Sequence, residues 1–210
     1  VSKIAAILLA AGRSERMGAY KPLLPFGDKT VIESCVKFLM DGGVESIIVV
    51  GGDRVDDLRN QLTDLPVTFA ENPPAGSEMG VSIIRGVEKL PPDADAVFVA
   101  LVDQPAIPPD VIRFMISERT RTGALLLVPG HDGRRGHPVL IDLNYRDHLL
   151  TLDPQRGLRA FFEAHREAIM IVSIDSPYIA RDMDTWDDYR ALYRDVFNSE
   201  PPIGSQSLTP

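Results

Sequence analysis

The chain has 210 residues, of which 44% are hydrophobic and 25% charged. That is the size of one full domain, with enough apolar material for a core. The 22 Lys+Arg against 30 Asp+Glu leave a formal charge of −8. Such a field repels phosphate backbones and argues against general nucleic-acid binding, although a local basic loop can still hold one small anion. One cysteine, Cys35, excludes an internal disulfide framework and any zinc site built on several thiolates, and reads as a small buried hydrophobe on a helix.

In chain order, Ile4–Leu9, Ser46–Val50, Val67–Phe69, Ala96–Leu101 and Leu125–Val128 read as strands bounded by Gly, Pro or Asp. Their near-continuous hydrophobicity predicts strands covered on both faces, as in a parallel sheet. Helices are predicted between them. Thr30–Asp41 stops at Gly42-Gly43 and Val55–Leu62 follows the second strand. Met79–Leu90 carries Ile83, Val87 and Leu90 at helical spacing, and Val111–Arg121 opens behind Pro108-Pro109-Asp110. Further on, His137–Ile141 and Ile169–Ile174 read as strands, and Gln155–His165 and Asp187–Phe197 as helices. The β-α alternation predicts a single three-layer α/β/α domain over residues 1–198, with a Rossmann-like, mostly parallel sheet wound by right-handed crossovers. Pro201 to Pro210 reads as a disordered tail, with 199–210 outside the domain.

The apolar run Ile4–Ala11 is far short of the roughly 20 residues of a membrane span. Behind Lys3 it mimics the core of a secretory signal. That reading is set aside because Gly12–Lys21 looks like working chemistry, which cleavage would discard. The expectation is a cytoplasmic protein without membrane attachment, its initiator Met removed or outside the numbering before Val1.

In an open α/β sheet, ligands bind at the carboxyl ends of the strands. The first such loop reads Leu9-Ala10-Ala11-Gly12-Arg13-Ser14-Glu15-Arg16-Met17-Gly18, followed by Lys21. Its glycines allow backbone N–H groups to approach an anion, and Arg13, Arg16 and Lys21 supply charge. Neither G-x-G-x-x-G nor G-x-x-x-x-G-K-[ST] is present. Triphosphate binding is the favoured reading; a surface turn with solvated charges is the ordinary one. Asp103, in Asp103-Gln104-Pro105, faces the same crevice. Beside a triphosphate a carboxylate needs a cation between them, which makes Asp103 a Mg²⁺ ligand candidate; the alternative is a turn-starting aspartate. In Asp182-Met183-Asp184-Thr185-Trp186-Asp187-Asp188, Asp184 fits a second arm of the metal site. Asp187 and Asp188 fit the first turn of a helix capped by Asp184 or Thr185. The loop from Asn72 to Ser82 offers backbone N–H groups and Ser82, while Arg134-Arg135 between glycines suits an anionic second substrate or is a basic hairpin. Neither a zinc-hydrolase H-E-x-x-H nor a serine-hydrolase G-x-S-x-G occurs.

With these motifs in place, the chain resembles the molybdenum cofactor nucleotidyltransferases of the MobA-like family, most closely the cytidylyltransferases. The resemblance extends to about Asn198. It rests on L-A-A-G-R-S-E-R-M-G with Lys21, D-Q-P at Asp103–Pro105, G-R-R-G-H-P at Gly133–Pro138 and D-M-D-T at Asp182–Thr185. It implies a nucleotide site of Leu9, Ala10, Ala11, Gly12, Arg13, Ser14, Lys21, Asn72, Gly80, Ser82 and Asp103, with alanine at Ala11 going with CTP. It implies Mg²⁺ or Mn²⁺ on Asp103 and Asp184, catalysis by Arg16, Lys21 and Asp103, and an acceptor wall of Gln104, Arg135, His137 and Arg156.

Two positions depart from the family pattern: Val102 stands where glycine is usual and Trp186 where proline is usual. The expected reaction transfers CMP from CTP to the terminal phosphate of molybdenum-molybdopterin and releases pyrophosphate. Transfer from CTP or GTP to a sugar or alditol phosphate, and a non-catalytic cofactor carrier, are the alternatives. The resemblance also implies a transient complex with a molybdenum hydroxylase or its chaperone, by a monomer or weak homo-oligomer.

Overall fold

The computed structural model of the chain describes residues 2–12, 16–72 and 78–202. The expected tail, from residue 203 onward, and Arg13, Ser14 and 73–77 lie outside the described residues. The elements are β1 (Ile4–Ala10), a 3-10 turn at Lys21–Leu23, β2 (Pro25–Phe26), β3 (Lys29–Thr30), α1 (Val31–Asp41), β4 (Ser46–Gly51), α2 (Val55–Gln61), β5 (Val67–Glu71), α3 (Met79–Glu88) and β6 (Ala96–Leu101). They continue with α4 (Pro109–Thr122), β7 (Leu126–His131), β8 (Arg134–Arg135), β9 (Val139–Asp142), α5 (Arg146–Leu150), α6 (Gly157–Ala164), β10 (Ile169–Ser173) and α7 (Trp186–Phe197).

The signal-like run Ile4–Ala10 is the middle of the sheet. It pairs in parallel with β4 on one side (Ile7 opposite Ile48) and with β6 on the other (Ile7 opposite Val99). The strand order is β10-β7-β9-β6-β1-β4-β5, with β9 antiparallel to both neighbours and β8 folded back on β7. Every residue of β1 is buried because helices cover both faces. Ala6 and Leu8 pack with Ile32, Leu39, Ile112 and Met115 of α1 and α4. Ala5 and Ile7 pack with Ile83 and Val87 of α3 and with Leu149 and Phe161 of α5 and α6. These are the three expected layers. Among the described residues no helix is long and apolar enough to cross a membrane.

Local signals account for the helix ends. Thr30 and Glu33 form a reciprocal capping box at α1, and Gly123 closes α4 in the left-handed conformation. The predicted strand Leu125–Val128 runs on to His131, and the helix expected from Gln155 starts at Gly157. The short helix α5 was not predicted; five residues are too few to show a period. A third apolar cluster lies beyond the sheet. There Met183, Tyr189, Leu192 and Tyr193 pack α7 and the segment before it against Met17, Leu24, Phe26 and Val31. This cluster brings the last loop of the chain over the first.

Candidate active site

Because β1 and β6 are parallel neighbours, their carboxyl ends deliver Ala10–Gly12 and Asp103 to one crevice. Leu9 and Ala10 are buried in the strand end, and Ala11 and Gly12 emerge progressively from it. Gly52, after β4, lies directly against Ala11: a Cβ there would sit 3.1 Å from the Ala11 carbonyl oxygen. The D-M-D-T segment reaches the same place through a main-chain bond, Met183 N–H donating to the Asp103 carbonyl oxygen at 3.0 Å.

Four charged groups meet there. Lys21 is only 7% exposed. Its Nζ lies 3.2 Å from Asp184 Oδ1 and 3.9 Å from Asp103 Oδ2. Arg16 reaches the other oxygen of Asp184, Nη1 to Oδ2 at 2.9 Å. Asp103 Oδ1 is buried with no hydrogen-bond partner. Burial is the main cause that pushes the Asp103 carboxyl up to about 6; Lys21 opposes the shift, and Asp182 and Asp184 add to it. An orphaned buried carboxylate oxygen beside a second carboxylate is the donor set of a hard divalent cation. Among the described residues no group of three or more His, Cys, Asp or Glu could hold a metal. A cation held by Asp103 and Asp184 would therefore need further oxygen donors from outside these two carboxylates.

Gln104 is fully enclosed, its Nε2 donating to Asp182 Oδ1 at 2.7 Å while its Oε1 has no partner. Asp182 is thus a partner at this place that the motif reading passed over. The alternation Asp182-x-Asp184 was the available signal, and only the fold shows that the two carboxylates have different partners, Gln104 for Asp182 and Arg16 with Lys21 for Asp184. Thr185, not Asp184, caps α7: its side chain accepts from Asp188 N–H, and Asp188 Oδ2 accepts from Thr185 N–H at 2.8 Å. That leaves Asp184 free of capping duty.

On the α3 side, Asn72 and Ser82 form a buried pair, Asn72 Nδ2 donating to Ser82 Oγ at 2.6 Å, with Asn72 Oδ1 unpartnered. Gly80 has its N–H engaged by the Pro154 carbonyl oxygen at 3.3 Å, and a Cβ there would lie 2.5 Å from the Asp153 carbonyl oxygen. Its role in the structure is to let α3 approach the segment before α6.

The expected acceptor residues divide. Arg134 and Arg135 form the return strand of a hairpin whose turn residues, Asp132 and Gly133, both have positive φ (47° and 77°). This is the basic hairpin, with Arg135 exposed at the rim. Gly136 seats against Ile179, and His137 N–H donates to the Ile179 carbonyl oxygen at 2.8 Å. Burial lowers the His137 pKa, with Asp182 opposing, so the ring is neutral at pH 7. Arg156 ion-pairs with Glu163, which also holds Arg159.

The sequence profile of the MobA-like NTP transferase domain matches residues 6–169. The chain belongs to that family. This MobA-like nucleotidyltransferase is 27% identical over 197 residues to the nicotine blue oxidoreductase of Paenarthrobacter nicotinovorans, covering 90% of this chain and 96% of the relative. It is 29% identical over 195 residues to the molybdenum cofactor cytidylyltransferase of Escherichia coli K12, covering 90% and 95%. The crystal structure of Rv0371c from Mycobacterium tuberculosis H37Rv superposes with a TM-score of 0.83 at 25% identity, over 92% of this chain and 98% of that one. The same protein has also been solved in complex with manganese. The family and the mostly parallel α/β architecture are those expected from the sequence.

Proposed function

We propose that this MobA-like nucleotidyltransferase transfers CMP from CTP to the terminal phosphate of a molybdopterin-type acceptor, releasing pyrophosphate. The observation that carries the reading is the convergence of Arg16 and Lys21 on Asp184, beside the orphaned carboxylate of Asp103. Four groups from three distant parts of the chain are held where the sheet delivers a ligand. The cytidylyltransferase relative supports the choice of reaction.

In this reading Leu9, Ala10, Ala11 and Gly12, with Arg13 and Ser14 completing the loop, cradle the nucleotide. The Asn72–Ser82 pair presents the acceptor oxygen Asn72 Oδ1 towards the base side, and Gly80 keeps that wall close. Asp103 and Asp184 would hold a divalent cation, Mg²⁺ or Mn²⁺, and such an ion would supply charge neutralisation for phosphate oxygens. Lys21 and Arg16 exchange a carboxylate for phosphate and stabilise the charge that builds on the leaving pyrophosphate. Gln104 fixes Asp182, and with Arg135, His137 and Arg156 forms the acceptor wall. An ionised phosphate monoester is its own nucleophile, so the neutral, half-buried His137 has no proton to take. The protein's contribution is position and charge.

The test is pyrophosphate release with Mg²⁺ from CTP, GTP, ATP and UTP, each paired with molybdenum-loaded molybdopterin and, separately, with sugar phosphates. Release with CTP and the pterin is expected. Release only with GTP, or only with a sugar phosphate, replaces the base or the acceptor. Redox turnover of nicotine blue, with no release from any pair, moves the activity to that of the oxidoreductase relative.

A further inference from the structure

The segment that carries Asp184 also grips the loop after β1. Trp186, the first residue of α7, points its indole back across the crevice mouth, and its Nε1–H donates to the Met17 carbonyl oxygen at 2.8 Å. The Met17 side chain is 4% exposed and packs in the cluster that contains Met183 and Tyr189. Gly18, the next residue, turns the chain at φ 60° towards Lys21. Arg16, the residue before, reaches Asp184. Within one tripeptide, therefore, Asp184 holds the charged side chain of Arg16, Thr185 locks the start of α7 with its capping box, and Trp186 holds the backbone of Met17. The indole is itself braced edge-on against Tyr189, with ring centroids 5.8 Å apart.

These two attachments respond differently to charge. The Arg16–Asp184 pair is exposed, with 73% of the Arg16 side chain in solvent, and a triphosphate or a cation competes for both partners. The indole–carbonyl bond is neutral and has no such competitor. A side chain without a polar hydrogen here has no donor for Met17, so the tether depends on the indole N–H of Trp186.

We propose that Trp186 is a positioning residue for the nucleotide. Its hydrogen bond keeps the Arg16–Lys21 loop in register with the Asp184 carboxylate while the ion pair is exchanged for phosphate and metal. The tether stands on this geometry alone; its effect on nucleotide affinity rests on the function proposed above.

Two replacements remove the donor. Trp186→Phe keeps an aromatic ring, and biosynthetic substitution of the chain's single tryptophan by benzothienylalanine keeps the full bicyclic shape without an N–H. The isostere is the control for packing and for failure to fold. The first readout needs no nucleotide: the initial rate of trypsin cleavage after Arg16, identified by mass spectrometry, in folded protein. Both replacements are expected to raise it roughly three- to tenfold, the equivalent of one net hydrogen bond. Unchanged cleavage in the isostere overturns the tether. The second readout is the calorimetric affinity for CTP with Mg²⁺. It is expected to weaken roughly three- to tenfold in both replacements, with KM rising and kcat close to that of the unsubstituted protein. Faster cleavage with unchanged affinity overturns the positioning role and leaves a purely structural bond. An unsubstituted protein that binds no nucleotide sinks the proposed function, while the cleavage result still decides the tether.

Discussion

The two sides of the crevice place their charged groups in opposite ways. On the side proposed for the nucleotide, Lys21 is enclosed and Asp103 is three-quarters covered with one oxygen unpartnered. On the side proposed for the acceptor, Arg135 stands in solvent on a two-residue strand, and Arg156 is paired to Glu163 on the surface of α6. Buried groups left unsatisfied are costly, and they persist where a ligand is needed to satisfy them. Solvated arginines cost little and can be rearranged without disturbing the sheet. If the proposed function holds, the difference teaches that the transfer chemistry would be built into the core, whereas acceptor choice would lie on exposed groups that can change independently.

Substitution on the buried side separates the two most sharply. Lys21→Ala, with an unchanged far-ultraviolet dichroism spectrum, should lower turnover by about 10²–10³. Near-normal turnover would place Lys21 outside the chemistry. Asp103→Asn should lose activity to a similar degree yet gain stability. The wild-type carboxyl, raised to about 6, binds its proton more tightly folded than unfolded. Folding therefore becomes less favourable as pH rises from about 4 to about 6, and the deficit persists above that range. In chelator, urea unfolding at pH 7.5 should find the asparagine variant more stable by about 1–3 kcal/mol, with the gap closing near pH 4. A variant less stable than wild type at pH 7.5 would contradict the claim that this side is strained.

The rim should respond more gently. For Arg135→Ala we expect the acceptor KM to rise roughly three- to tenfold while kcat stays within about twofold; a large fall in kcat would move Arg135 into the transition state. Smallest of all is Glu163→Gln, which releases Arg156 and Arg159 from surface pairs. Exposed ion pairs contribute little, so thermal melts of this variant and the wild type should coincide, and a distinct loss would show that the acceptor side is more organised than its exposure suggests.

Much of this was legible before any coordinates. The continuous apolar runs at Ile4–Leu9, Ser46–Val50 and Ala96–Leu101 specify strands buried on both faces, because each carries too little polar surface to face water. End signals such as Gly42-Gly43 after α1 and Pro108-Pro109-Asp110 before the body of α4 mark helix ends through local backbone preferences. The candidates Lys21, Asp103 and Asp184 follow from the rule that loops after parallel strands face the ligand. Local and periodic information suffices for all of these, since each concerns neighbours along the chain.

What needed the tertiary structure concerns residues far apart in sequence. Nothing near Asp182 announces that it holds Gln104, 78 residues away. Nothing near Met17 announces Trp186, 169 residues on. Whether Asp103 is an exposed turn residue or a strained carboxylate depends on how Lys21 and Asp184 are brought beside it. Desolvation and charge pairing depend on three-dimensional distance, and the packing of α7 across the first loop sets that distance here.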